Sequence, residues 1–438
     1  MKGLWRIATI GVLLLASAAL LFGSGQQQPA TEGPSGGADN TVTISWWALS
    51  GGGGANDPRA EFRKKVIADY EALHPNVTID LVMLENEAFK QKVQVSVQAG
   101  NPPDIFHSWG GGVMIEYAKS GMLRDITPLV KNDLSKRIGA GALGVYGYND
   151  AYYGAPYDMG AVGMWYNKAI FKEAGVAVPE TWDQLLAAVK KIRAAGYIPI
   201  ALGAGDKWPA HFWWSYLAMR IGGQPAFNAA YNGTGSFADP TFVKAGERML
   251  ELAALKPFQT GYLGATYDDE AALMGNTEAA MELMGQWAPA TQMADSASGK
   301  GIGEDLGWFP FPAVSGGAGK KSDVLGGGNG YVIGKDAPDA ALDFLSFFLQ
   351  PKYNMELVDV ENIVPVVKGA EQAVEGNKNL ETIINAIAQA DYYQLYYDQF
   401  LPPAVGETVK DAVVALLAGN VSPAEAAQMV QDSWEQEQ

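Results

Sequence analysis

Apolar positions begin to alternate with polar ones at Thr41. In Thr41-Val42-Thr43-Ile44-Ser45-Trp46-Trp47, Val42 and Ile44 alternate with hydroxyl residues, the two-residue period of a half-buried strand. Phe62, Val66, Ile67, Tyr70 and Leu73 then recur at helical spacing with charges between them, and His74-Pro75-Asn76 stops that helix. Val77, Ile79 and Leu81 alternate again as a second strand. Ala88 to Gln98 is predicted as a helix, broken at Gly100-Asn101-Pro102-Pro103, and Asp104-Ile105-Phe106 as a short third strand. Strand–helix–strand–helix–strand is the unit of an open α/β sheet.

The alternation returns after residue 155. Thr181-Trp182-Asp183-Gln184 is a capping box, with the Thr hydroxyl capping the helix start and Gln184 reaching back. Leu185, Leu186, Val189 and Ile192 give that helix its apolar face, and Tyr197 to Leu202 is expected as the next strand. Pro338 marks a later helix start, Pro351 a helix end, and the capping box Ser422-Pro423-Ala424-Glu425 opens the last helix toward Trp434. The pairs Tyr392-Tyr393 and Tyr396-Tyr397, four residues apart, read as a packed helix face. There is no short-period repeat, and two α/β units of similar size point to two lobes.

The N-terminus is of a different kind. Two positive charges, Lys2 and Arg6, precede the apolar run Ile7 to Phe22 and the small residues Gly23-Ser24-Gly25, the order of a secretory signal peptide, read over residues 1–24. The run is shorter than the ~20 residues a membrane-spanning helix needs, which disfavours an anchor. Residues 25–40, rich in Gly, Pro, Gln and Ser, read as a flexible linker. Ser24 stands where a lipid-modified signal would require Cys, so an exported protein of the periplasm or the outer face of the cytoplasmic membrane is expected, free rather than lipid-anchored.

Composition narrows the chemistry. A net charge of -17 disfavours nucleic acid, whose binding rests on basic residues. With no cysteine there is no disulfide, and three scattered histidines (His74, His107, His211) offer no zinc site, so neither metal nor cofactor is expected. After the linker no Gly-x-Ser-x-Gly elbow or phosphate loop occurs, and the run Gly51 to Gly54 is either an anion-seating turn or a loop closing over a ligand. A glycosidase needs two carboxylates ~5–10 Å apart, which an acidic chain can supply anywhere.

The 12 tryptophans are more informative. Aromatic faces suit the flat C–H faces of sugars, with a few polar groups fixing orientation. Trp46 and Trp47 end the first strand and Trp109 follows the third, where ligands bind in open α/β sheets. Trp208, His211 and Trp213 follow the Ile198–Leu202 stretch, and Trp287 lies between Gly and Pro. Each of these has a core-packing alternative; Trp165, Trp182 and Trp214 are assigned to the core, and His107 to a strand end.

Several ordered landmarks carry a family resemblance. They are Asn101-Pro102-Pro103-Asp104-Ile105-Phe106 with Gly110-Gly111 and Tyr117 to Leu123, then Tyr153-Gly154-Ala155-Pro156-Tyr157, Tyr166-Asn167-Lys168 with Pro179-Glu180-Thr181-Trp182, and Ala279-Ala280-Met281 through Gly285-Gln286-Trp287-Ala288. The chain resembles the extracellular solute-binding proteins of carbohydrate importers powered by an ATP-binding cassette, the group that includes maltose-binding protein. The resemblance spans nearly all of the chain after the linker. It implies a two-lobed α/β periplasmic binding protein fold, with open sheets flanked by helices and hinge closure on a sugar between the lobes. Residues 41–154 plus 311–365 would form the N-terminal lobe, and 155–310 plus 366–438 the C-terminal lobe.

The resemblance also implies capture without catalysis, by a monomer that delivers a neutral oligosaccharide to membrane permease subunits. Trp47, Trp109, Trp208 and Trp287 would stack on sugar faces, with Trp213 beside them. Glu85, Asp158, His211 and Asn329 would bond hydroxyls. The maltose-binding member has an Asp-Arg pair in its first cleft loop, where this chain has His107-Ser108-Trp109-Gly110, an aromatic for a charged clamp. The rival readings are a peptide or polyamine as solute, and an exported glycosidase.

Overall fold

The computed structural model describes residues 41–51 and 57–438. The signal-peptide and linker readings and Gly52 to Gly54 lie outside the described residues. The chain opens with β1 (Val42–Leu49), α1 (Pro58–Leu73), β2 (Val77–Leu84), α2 (Asn86–Gln98), β3 (Ile105–Ser108) and α3 (Gly111–Lys119), followed by β4 (Gly154–Pro156). It crosses through β5 (Gly160–Ala161) to β6 (Gly163–Asn167), α4 (Trp182–Ala194), α5 (Trp208–Tyr231), α6 (Pro240–Ala254), α7 (Tyr267–Gly275), β7 (Met281–Met284), α8 (Ala288–Asp295) and β8 (Leu306–Phe309). It returns through β9 (Val324–Gly327) to β10 (Gly330–Ile333), α9 (Asp339–Phe348) and α10 (Pro351–Glu361). It crosses a third time to β11 (Tyr393–Leu395), α11 (Pro403–Leu417) and α12 (Pro423–Gln436).

One lobe is built on a five-stranded sheet in the order β2-β1-β3-β10-β4. Its first three strands are parallel, and β10 enters antiparallel between β3 and β4. The other lobe holds the antiparallel sheet β8-β6-β7, and a small sheet β11-β9-β5 lies where the chain crosses. Successive strand residues face opposite sides. On β1 this buries Ile44, Trp46 and Ala48 completely, and Trp46 meets Tyr331, Phe344 and Phe348 edge-on at 5.1–5.5 Å. Both capping boxes form, at Thr181–Gln184 and Ser422–Glu425, and Trp165, Trp182 and Trp214 are core.

Four expectations change. Tyr197 to Leu202 runs extended beside β7 but only Ile198 forms a bridge, to Ala279, because Pro199 has no N–H for a ladder. The paired tyrosines are not one helix face: Tyr393 lies in β11, and Tyr397 begins a short helix to Phe400. A spacing of four is also a multiple of two, and aromatic residues favour strands. The stretch 311–323, expected in the N-terminal lobe, packs on α5 instead. Phe311 stacks on Tyr216 at 4.7 Å, and the buried Arg220 guanidinium donates to the carbonyls of Phe311, Pro312, Lys321 and Asp323. Conversely Val367 and Lys368, expected in the C-terminal lobe, pair with Ile138 and Arg137 of the first.

Candidate ligand-binding cleft

The C-terminal ends of β1 and β3 and the first turns of α1, α2, α5, α7 and α8 converge on one cavity. Its space, including the solvent at its mouth, is about 1030 Å³. Strand ends and helix N-termini meet there because each crossover helix begins where its strand stops, which is why open sheets bind ligands at that edge. Helix N-termini also bring unpaired N–H groups. Both carboxylate oxygens of Glu85 answer this at α2, accepting from Glu87 N at 2.9 and 3.0 Å, with Ala88 N at 3.2 Å from one of them.

Aromatic rings line the cavity from both lobes. Trp208, the first residue of α5, lies 6.3 Å from Trp287 at 56° and 4.9 Å from Tyr267. Trp287 stands edge-on to Tyr396 at 6.4 Å. Trp109 faces the cavity from the first lobe, backed at 4.7 Å by the His107 ring in β3. Burial pushes the His107 pKa down to about 3, so this imidazole is a neutral shelf. The Trp208 indole N–H is buried without a hydrogen-bond partner among the described residues.

Carboxylates surround the rings. Asp206 accepts from Tyr267 N at 2.8 Å, and burial raises its pKa, with Glu87 and Glu85 adding to the rise. Burial likewise raises Asp268, reinforced by Glu85 across the cleft. Behind Trp208, His211 Nδ1 lies 2.7 Å from the Trp208 carbonyl and Nε2 lies 3.3 Å from Asp398 Oδ1. Both neighbours are oxygen acceptors, so each faces a ring nitrogen of His211. Burial alone would raise the Asp398 carboxyl, yet the His211 and Lys410 charges hold it well below the usual carboxylate range.

The floor is a knot of crossing segments. Asp158, between β4 and β5, accepts from Asn329 N at 2.6 Å, from Asn329 Nδ2 at 3.0 Å and from Gln286 Nε2 at 2.8 Å. Its backbone bridges Pro365 on the third crossing. Burial raises the Asp158 pKa to about 7 despite these donors. Beside it, at the cavity wall, Arg63 and Glu361 pair at 2.8 Å.

Residues 54–355 match the family described as bacterial extracellular solute-binding protein. The chain belongs to that family. It is 28% identical over 319 residues to an uncharacterized ABC transporter extracellular-binding protein of Pyrococcus horikoshii, covering 71% of this chain and 70% of that one. It is 25% identical to the diacetylchitobiose binding protein of Streptomyces coelicolor, over 98% of this chain and 97% of the other. A solved chitin oligosaccharide binding protein superposes with a TM-score of 0.82 at 25% identity, covering 91% of this chain and 99% of that structure. The solute-binding family is extracellular, and no described helix is long and apolar enough to cross a membrane.

Within this solute-binding fold the structure sorts the sequence candidates. Glu85, Trp109, Trp208, Trp287 and Asn329 line the cavity together. Asp158 and His211 do not reach it: each is buried behind a lining residue and spends its polar atoms there. Trp47 is turned away from the cleft, toward α2, with Lys92 Nζ 4.5 Å from its ring. Trp213 is sealed in the second lobe's core, edge-on to Phe311 at 5.8 Å. Neither Trp47 nor Trp213 borders the cavity. Sequence reasoning missed Lys90, Asp206, Asp268, Tyr267 and Tyr396. Asp206 carried a usable signal, standing two residues before Trp208 at a helix start, and Tyr396 none once it was read as helix.

Proposed function

We propose that this chain captures a carbohydrate, a neutral oligosaccharide, in the cleft and delivers it to the permease subunits of an ATP-driven importer, acting as a monomer and without catalysis. The observation that carries the reading is the convergence of Trp109, Trp208 and Trp287 on one cavity edged by Asp206 and Asp268. Indole faces suit sugar C–H faces, and carboxylates suit hydroxyl donors. The named sugar ligands of the Streptomyces relative and of the chitin oligosaccharide binding protein support the same solute class.

A second reading has one observation behind it. Asp206 and Asp268 have no cationic partner within ion-pair distance among the described residues, which suits an amine-bearing solute such as a polyamine. One experiment separates them. Thermal shift of residues 26–438 is measured against mono- and oligosaccharides, and against spermidine and short peptides, since a ligand stabilises the fold with the logarithm of its concentration over Kd. A shift with one saccharide series, returned intact after incubation, supports sugar capture. A shift with spermidine alone supports the second reading, and cleaved saccharide would sink the non-catalytic one.

A further inference from the structure

Lys90 is placed unlike the other cleft residues. It stands one turn into α2, with Nζ 2.7 Å from Glu87 Oε1. The same Nζ lies 5.6 Å from the ring centroid of Trp109 and 5.9 Å from that of Trp208. Trp109 belongs to the first lobe, whereas Trp208 opens α5 of the second and is braced there by Tyr267 and by His211 on its carbonyl. A cation within ~6 Å of an indole face is attracted by the ring quadrupole, more strongly as water is removed. One ammonium therefore holds an aromatic face from each lobe.

The ion pair with Glu87 does not explain that position, since neighbours three apart on a helix can pair in open solvent. Lys92, on the same helix, makes the intralobe counterpart: its ammonium sits over Trp47 and touches nothing of the second lobe's aromatic wall. A second cation of the first lobe also reaches across, with Arg59 Nη2 3.5 Å from Thr291 Oγ1 of α8.

We infer that Lys90 is an interlobe latch, its ammonium clasped between Trp109 and Trp208 so that the chain's own cation draws the two lobes together. The latch holds whatever solute the cleft takes. Combined with the sugar reading of the previous section, on which this one consequence rests, it means that Lys90 must leave the tryptophan faces before a sugar ring can stack there.

The test needs no ligand. The chain has no cysteine, so Val95→Cys on α2 and Leu263→Cys on the second lobe, both exposed, accept one spin label each. Pulsed electron paramagnetic resonance then reads the interlobe distance in sugar-free protein. Lys90→Met should shift the distribution to longer distances, Lys90→Arg should restore it, and Lys92→Met should leave it unchanged. A circular dichroism melt checks folding, and Lys90→Gln replaces Lys90→Met if that variant does not fold. Equal distances in the Lys90→Met, Lys90→Arg and unsubstituted proteins would overturn the latch. The sugar reading fails by a different route, in flat thermal-shift curves.

Discussion

The Asp158 carboxylate and the Gln286 side-chain amide meet at 2.8 Å beneath the cleft, joining the first crossing segment to the second lobe one residue before Trp287. Asn362 holds the same residue from the other side, donating to the Gln286 carbonyl at 2.5 Å. Movement of one lobe on the other must therefore strain or re-form bonds that begin next to a cleft aromatic.

Asp158→Ala strands the Asn329 and Gln286 donors in a buried site. Each unsatisfied buried donor costs roughly 1–3 kcal/mol, and a loss of about 3 kcal/mol is expected in urea unfolding. Asp158→Asn, which keeps the volume but turns part of the acceptor into a donor, should lose less. No loss in either variant would remove Asp158 from the hinge.

Stability should fall between pH 5 and pH 8. Burial raises Asp158 and Asp295 to about 7 and pushes Glu270 and Glu282 up as well. A carboxyl whose folded pKa lies above its unfolded one binds its proton more tightly in the fold. Its contribution is full below the unfolded pKa, near 4, and is lost as the pH rises through the folded value. A lower Tm at pH 8 than at pH 5 is the expected outcome, and Glu282→Gln should flatten the slope.

Removing His211 leaves the Asp398 carboxylate buried without its nearest charged partner, with Lys410 and Lys90 acting from further off. Breaking one side of a buried pair costs on the order of 3 kcal/mol. His211→Ala should lower Tm accordingly and, by freeing the Trp208 carbonyl, weaken binding of the screened ligand as well.

Trp287→Ala and Trp109→Ala should each weaken binding about tenfold or more, the effect of losing a central aromatic contact. Trp47→Ala should leave affinity unchanged while lowering stability. Titration calorimetry on the three variants decides the site, and equal affinities throughout would refute it.

That contrast between Trp47 and Trp109 also marks how far sequence reasoning reaches. Neighbours on a strand face opposite sides, so Trp46 in the core puts Trp47 on the α2 side, and β1 runs on to Leu49 before the cleft begins. Trp109, in the loop after β3, is free of that constraint. Alternation, helical spacing and capping boxes are written within a few residues, which is why β1 to β3, α4 and α12 could be read directly. Asp158 could not. Its partners lie 128 and 171 residues away, and no local pattern says that both its oxygens are taken. Tyr396 and Tyr267 reach the cleft for the same long-range reason, carried there by how β11 and α7 dock.

The insertion of β10 between β3 and β4 has a kinetic consequence. The first lobe's sheet cannot join its two sides until residue 333 is available, and α11 and α12, packed on α5 and α6, complete the second lobe only once residues 403–436 are available. Pairings of such long sequence separation form slowly. A nascent chain of this design should stay loose until residues beyond 400 have been made, the condition in which a polypeptide can be threaded through a narrow translocation channel and left to fold on the far side.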